Sequence, residues 1–198
     1  MTDVVDRVPP VAVPSPGDGI ADPGPLGLAG FAMTTFFLSS YNAGLITGGE
    51  SVILGLALVY GGIAQLLAGM WEFRKGNTFG AVAFTSYGAF WISFWVVLTF
   101  SKDATSHSLG LYVLGWTIFT AYMTVAAMKT NAAVLTVFVV LTITFLFLAI
   151  GYFGENTTMT KVGGWLGLVT ALLAWYASFA AVTNATWKRT VLPTWPLS

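Results

Sequence analysis

The chain has no cysteine, a single histidine and little charge, with Lys, Arg, Asp and Glu making up 8% of its 198 residues. Without cysteine there are no disulfides, thiolate nucleophiles or sulfur metal sites. The lone His107 falls in a predicted loop, so no pair of histidines can ligate a haem within a helix. No lysine sits mid-helix to hold retinal, and no mid-helix Asp or Glu offers a proton relay. Glu50 and Glu72 lie near helix ends, Glu72 beside Arg74 and Lys75, and read as solvated or paired. No metal, cofactor or enzymatic chemistry is therefore expected. The formal net charge of zero gives no footing for nucleic acid. A secretory leader is not expected either, since Asp3, Asp6, Pro9, Pro10, Pro14 and Pro16 interrupt any apolar run; residues 1–21 read as a disordered cytoplasmic tail.

What is abundant is apolar surface. Hydrophobic residues make up 56% of the chain and mean hydropathy is +0.79, whereas soluble domains carry roughly 25% charge. The eight Trp and seven Tyr suit interfacial belts. A bilayer core of ~30 Å needs ~20 apolar residues per helix, and segments near Leu26–Leu45, Val52–Trp71, Phe79–Thr99, Leu109–Met128, Ala133–Phe153 and Gly163–Thr183 meet that length. The expected fold is an all-α integral membrane bundle of six transmembrane helices. One domain spans 22–187, and residues 188–198 form a short cytoplasmic tail. Placing both termini in the cytoplasm puts Arg7, Arg74, Lys75, Lys129, Lys188 and Arg189 inside and leaves only Lys102 and Lys161 of the eight cations outside, as the positive-inside rule prefers.

Small and polar residues recur at helical spacing. On the second helix Gly55, Gly62 and Gly69 repeat every seven residues with Gln65 on the same stripe, which should face protein. On the sixth, Gly163, Gly167, Thr170, Ala174 and Ser178 form a packing stripe. On the first, Phe31, Thr35, Ser39 and Asn42 share a face. Either these hydroxyls bond back to their own helix, or they line a narrow path whose selectivity comes from donors and diameter.

The stretch Asp22-Pro23-Gly24-Pro25-Leu26-Gly27-Leu28 opens the first helix. Pro25 suits a first turn, Asp22 stands where a cap would stand, and the unpaired amides of such a helix start are a ready site for a small anion. This stretch resembles the Asn-Pro-Ala-Pro-Leu-Gly-Leu hallmark of the acetate uptake transporter family, with Asp22 in place of Asn and Gly24 in place of Ala. Blocks at Gly30–Thr35, Tyr60–Gln65, Lys75–Gly80, Phe84–Trp91 and Arg189–Pro193 follow in family order, so that the resemblance runs from about Ala21 to Pro193.

The resemblance implies a homo-oligomer, a hexamer in the family, in the cytoplasmic membrane. It implies passage of acetate, and of succinate or other short carboxylates, along a path within each subunit. Carried over to this chain, the constriction would be Phe31, Tyr87 and Leu141, with the Tyr87 hydroxyl offered to a passing carboxylate. The polar lining would come from Thr34, Thr35, Ser39, Asn42 and Gln65. Arg74, Lys75 and the amides opening the first helix would attract the anion, an attraction that a carboxylate at Asp22 opposes. Proton-coupled transport and a passive anion channel both remain open on these residues, beside ammonia export and a structural membrane subunit.

Overall fold

The structure is a computed structural model and describes residues 19–197. Most of the expected amino-terminal tail, with Arg7, lies outside the described residues. Six helices follow: α1 (Gly24–Asn42), α2 (Glu50–Lys75), α3 (Thr78–Phe100), α4 (Ser106–Ala127), α5 (Ala132–Phe153) and α6 (Thr157–Trp187). All of these except α1 are long and apolar enough to cross a membrane. The 19-residue α1 intersperses its apolar residues with Thr34, Thr35, Ser39, Ser40 and three glycines, and packs against α2, α3 and α6.

Polar residues between the apolar runs set the boundaries by capping free helix amides. Asn77 accepts from Gly80 N at 3.2 Å and Asn131 from Val134 N at 3.0 Å, and Thr105 and Ser108 form a reciprocal capping box. Asn156 accepts from both Thr158 N and Met159 N. That cap starts α6 six residues earlier than hydropathy suggests, and the helix reaches 31 residues. At the start of α1 the cap position is Pro23, which makes no side-chain cap bond, while Asp22 Oδ1 accepts from Gly24 N at 3.1 Å.

The helices follow one another around the bundle in the order α3, α2, α1, α6, α5, α4. Small residues bring α1 and α6 together. Gly164 abuts the backbone of Asn42 and Ala43, Gly167 abuts Ser39, and the Ser178 hydroxyl donates to the Pro25 carbonyl at 2.7 Å. The stripe expected on α6 thus packs within the subunit, against α1 and α5. On α2, Gly62 and Gly69 face α3, whereas Gly55 meets no neighbour. Rings close the circle between α3 and α4: Phe90 lies 5.1 Å from Trp116 and 5.7 Å from Tyr112, centroid to centroid.

Two departures from regular helix matter below. Residues Val59–Ala64 of α2 widen into a π-helical segment, a local expansion often found at functional sites. The carboxyl-terminal segment does not trail away. Asn184 holds Val191 and Leu192 through their amides, Tyr176 donates to the Pro193 carbonyl at 2.6 Å, and Trp195 and Thr194 accept from the amides of Ala132 and Ala133 that open α5.

Candidate functional site

Three cavities lie in line along the bundle axis. The first, about 220 Å³, is a vestibule where the starts of α1, α3 and α5 meet the ends of α2 and α6 and Thr194 of the folded-back terminus. The second, about 20 Å³, shares Leu28, Ala83, Phe84 and Phe138 with the first and is lined further by Phe31, Gln65, Tyr87 and Leu141. The third, about 30 Å³, shares Phe31 and Leu141 with the second and continues along Thr35, Ser39, Asn42 and Thr144. A void needs ~10–15 Å³ of this measure to hold one water, so the middle cavity has room for about one water and is the narrow point of the line.

The narrow point is built from buried, closely packed side chains. Phe31 and Tyr87 stand 5.7 Å apart, and Tyr87 also packs on Phe138 at 6.1 Å and edge-on to Phe119 at 5.4 Å. Phe31, Tyr87 and Leu141 are all buried. The constriction residues expected from the sequence are therefore brought together, and Phe138, one turn before Leu141, joins them. The Tyr87 hydroxyl, expected to meet a passing carboxylate, here has a protein partner. It bonds Thr120 Oγ1 at 2.8 Å, and Thr120 in turn donates to the Trp116 carbonyl at 2.7 Å. Tyr87 consequently donates toward α4 and presents its ring to the cavity.

The polar lining divides. Thr35, Ser39 and Asn42 line the third cavity and Gln65 the second, as expected. Thr34 does not line any of the three. Its hydroxyl donates to the Gly30 carbonyl at 2.9 Å and lies 3.4 Å from the Leu56 carbonyl, and its side chain fills the space left by Gly61 in the widened part of α2.

Buried polar groups normally have a partner, and those that do not call for an explanation. Among the described residues the atoms without one are Glu72 Oε2, Gln65 Oε1, Thr35 Oγ1, Trp91 Nε1 and Thr85 Oγ1. All but the last belong to residues of the cavity line: Glu72 in the vestibule, Gln65 at the constriction, Thr35 and Trp91 beyond it.

The mouth differs from expectation in three ways. Lys75 is not a free attractor, because its ammonium pairs with Asp22 Oδ1 at 2.7 Å. Arg74 is exposed and outside the lining. Glu72 is neither solvated nor paired with Lys75; it is 1% exposed and faces the vestibule. The signal that could have found it is heptad spacing, since it lies seven residues beyond Gln65 on the same stripe. The amides opening α1, α3 and α5 are also partly spoken for, by Asp22, Asn77, Asn131 and the terminal carbonyls. What these helix starts still contribute is the positive end of each dipole. His107 is exposed and packs on Phe153, and no cluster able to hold a metal exists among the described residues.

In the hallmark stretch, Gly24 leaves room for the Asp22 and Glu72 carboxylates, Pro25 supplies the carbonyl taken by Ser178, and Gly27 abuts the Phe84 ring. Leu26 is 45% exposed on the outer face. Asp22 and Pro23 precede the first turn.

Known proteins are similar in sequence and in fold. The chain is 43% identical over 188 residues to accumulation of dyads protein 2 of Saccharomyces cerevisiae, covering 88% of this chain and 66% of that relative, so it spans just under two thirds of the yeast protein's length. It is 41% identical over 179 residues to the succinate-acetate/proton symporter SatP of Escherichia coli K12, covering 88% of this chain and 95% of SatP. The solved structure of the bacterial acetate channel SatP superposes with a TM-score of 0.85 at 39% identity, covering 88% of this chain and 99% of that one. The model of the GPR1/FUN34/yaaH family matches residues 5–198. With helices that cross a membrane several times over and a match from end to end, the chain belongs to the GPR1/FUN34/yaaH family.

Proposed function

We propose that this protein carries acetate, and other short carboxylates such as succinate, across the cytoplasmic membrane along the three cavities of each subunit, and that it is a transport protein rather than an enzyme. The observation that carries this reading is the row of unpartnered polar atoms on Glu72, Gln65, Thr35 and Trp91, strung along a line pinched by apolar side chains. On this row the Thr35 hydroxyl and the Trp91 indole N–H can donate to a carboxylate beyond a dry gate, while the Glu72 and Gln65 oxygens call for a donor. Phe31, Leu141 and the Tyr87 ring would strip the hydration shell and limit width. The names of the SatP relatives, one a proton symporter and one a channel, support the substrate class and leave both mechanisms open.

In this reading all six helices span the bilayer, α1 sheltered among the others, and both termini face the cytoplasm, so the vestibule opens to the cell interior. Subunits assemble as a homo-oligomer, a hexamer by family resemblance, using the apolar outer surface where Gly55 stands open. The test is labelled-acetate uptake into liposomes holding the purified protein, with an inward proton gradient imposed and then collapsed. Accumulation that vanishes with the gradient fits symport, and equilibration alone fits a channel. Absence of acetate flux in folded, assembled protein would overturn the reading in favour of ammonia export or a structural subunit.

A further inference from the structure

We propose that Glu72 is a proton-binding site of the path, taking up a proton when a carboxylate enters the vestibule, and that Asp22 makes this possible by holding Lys75. The inference rests on the transport reading above. The Glu72 carboxyl is 1% exposed, Oε2 has no partner, and the group faces the vestibule. It sits in a notch between two glycines: a Cβ on Gly80 would stand 2.9 Å from Glu72 Oε1, and one on Gly24 would stand 3.4 Å from it. The notch gives the carboxyl one donor, the Asn77 side-chain amide, and leaves Oε2 without a partner.

The groups around it are few. From its own helix comes Lys75, from the approach to α1 comes Asp22, and from the start of α3 comes the neutral Asn77 amide. The walls from α5, α6 and the carboxyl-terminal segment contribute no titratable group to the vestibule. Because Lys75 is committed to Asp22 at 2.7 Å, the ionised vestibule carries one net negative charge before any substrate arrives. A second carboxylate beside Glu72 sets two like charges in one confined site, which favours a proton on one of them. The protonated carboxyl then becomes a donor to the incoming carboxylate. Proton and anion enter together, with no bond made or broken other than that to the proton. Gln65, one heptad deeper and also unpartnered, is the next polar group on the line.

Infrared difference spectroscopy on reconstituted protein, with and without carbon-13 acetate at neutral pH, reads this directly. Wild type should gain a protonated-carboxyl band on acetate addition, and Glu72→Gln should not. Asp22→Asn, which frees Lys75 to neutralise Glu72, should weaken the band. In liposomes, the ratio of protons to acetate moved should collapse in Glu72→Gln. A wild type without the band, or a band that persists unchanged in Glu72→Gln, overturns the proposal. If wild type shows the band while moving no acetate, the transport reading fails and the proton site stands.

Discussion

Thr34 and Thr35 are neighbours on α1, of one residue type and both buried, yet they lead different lives. Thr34 turns to α2, where its side chain fills the gap beside Gly61 while its hydroxyl bonds back to the Gly30 carbonyl of its own helix. Thr35 turns to the axis, where its hydroxyl has no partner and borders the third cavity. One face of α1 is thus a closed seam and the other a wall of the path. A hydroxyl in a membrane helix acquires its role from what the facing helix offers: a glycine opposite makes it a packing element, and a void opposite makes it lining.

The seam should be the less forgiving side. Gly61→Leu sets a Cβ 2.6 Å from Thr34 Oγ1 with a longer chain behind it. Overpacking costs ~1–3 kcal/mol and sometimes more, so the largest expected effect is loss of monodisperse protein on size-exclusion chromatography. A well-folded variant would show that the seam yields. Next comes the gate. Leu141→Ala removes a buried side chain from the narrow point, and because one methylene in a fitted pocket is worth ~1–3 kcal/mol, lactate uptake relative to acetate should rise roughly tenfold. An unchanged ratio in assembled protein would take Leu141 out of the gate.

Gln65→Leu keeps the volume and deletes the polar atoms beside the constriction. With ~1–3 kcal/mol at stake for a polar group whose partner is lost, acetate flux should fall roughly tenfold while the melting temperature holds or rises. Flux at wild-type level would make Gln65 a packing residue. The smallest effect is expected from Tyr87→Phe. Its hydroxyl is spent on Thr120, so selectivity should stay unchanged while stability drops by about 1 kcal/mol, read by thermal unfolding. A marked loss of acetate flux would restore the hydroxyl to the path.

The helices were legible because hydropathy over a bilayer-length window is a strong signal, and their ends fell where Asn, Thr and Gly cap or break them. The boundary that slipped furthest, the start of α6, slipped because Asn156 rescues a polar turn into helix. The gate trio came from resemblance, and no local pattern in the sequence separates Phe31 or Leu141 from ordinary core. What sequence spacing could not reach were contacts between distant segments. Asp22 reaches Lys75 across 53 residues, which leaves Glu72 without an ion-pair partner of its own among the described residues. Tyr87 reaches Thr120 across 33, which turns its hydroxyl away. The helical period separates Thr34 from Thr35 by only about 100°, too little to tell seam from wall without the glycine on α2.

The native absence of cysteine permits the most direct test of the path. Thr35→Cys and Thr34→Cys, each reconstituted in liposomes, would be treated with a small charged thiosulfonate while labelled-acetate flux is followed. Thr35→Cys should be modified, its acetate flux should be blocked, and excess acetate should slow the modification, while Thr34→Cys should remain unreactive. Equal reactivity at both positions, or modification of Thr35→Cys without effect on flux, would contradict the placement of the path along this face of α1.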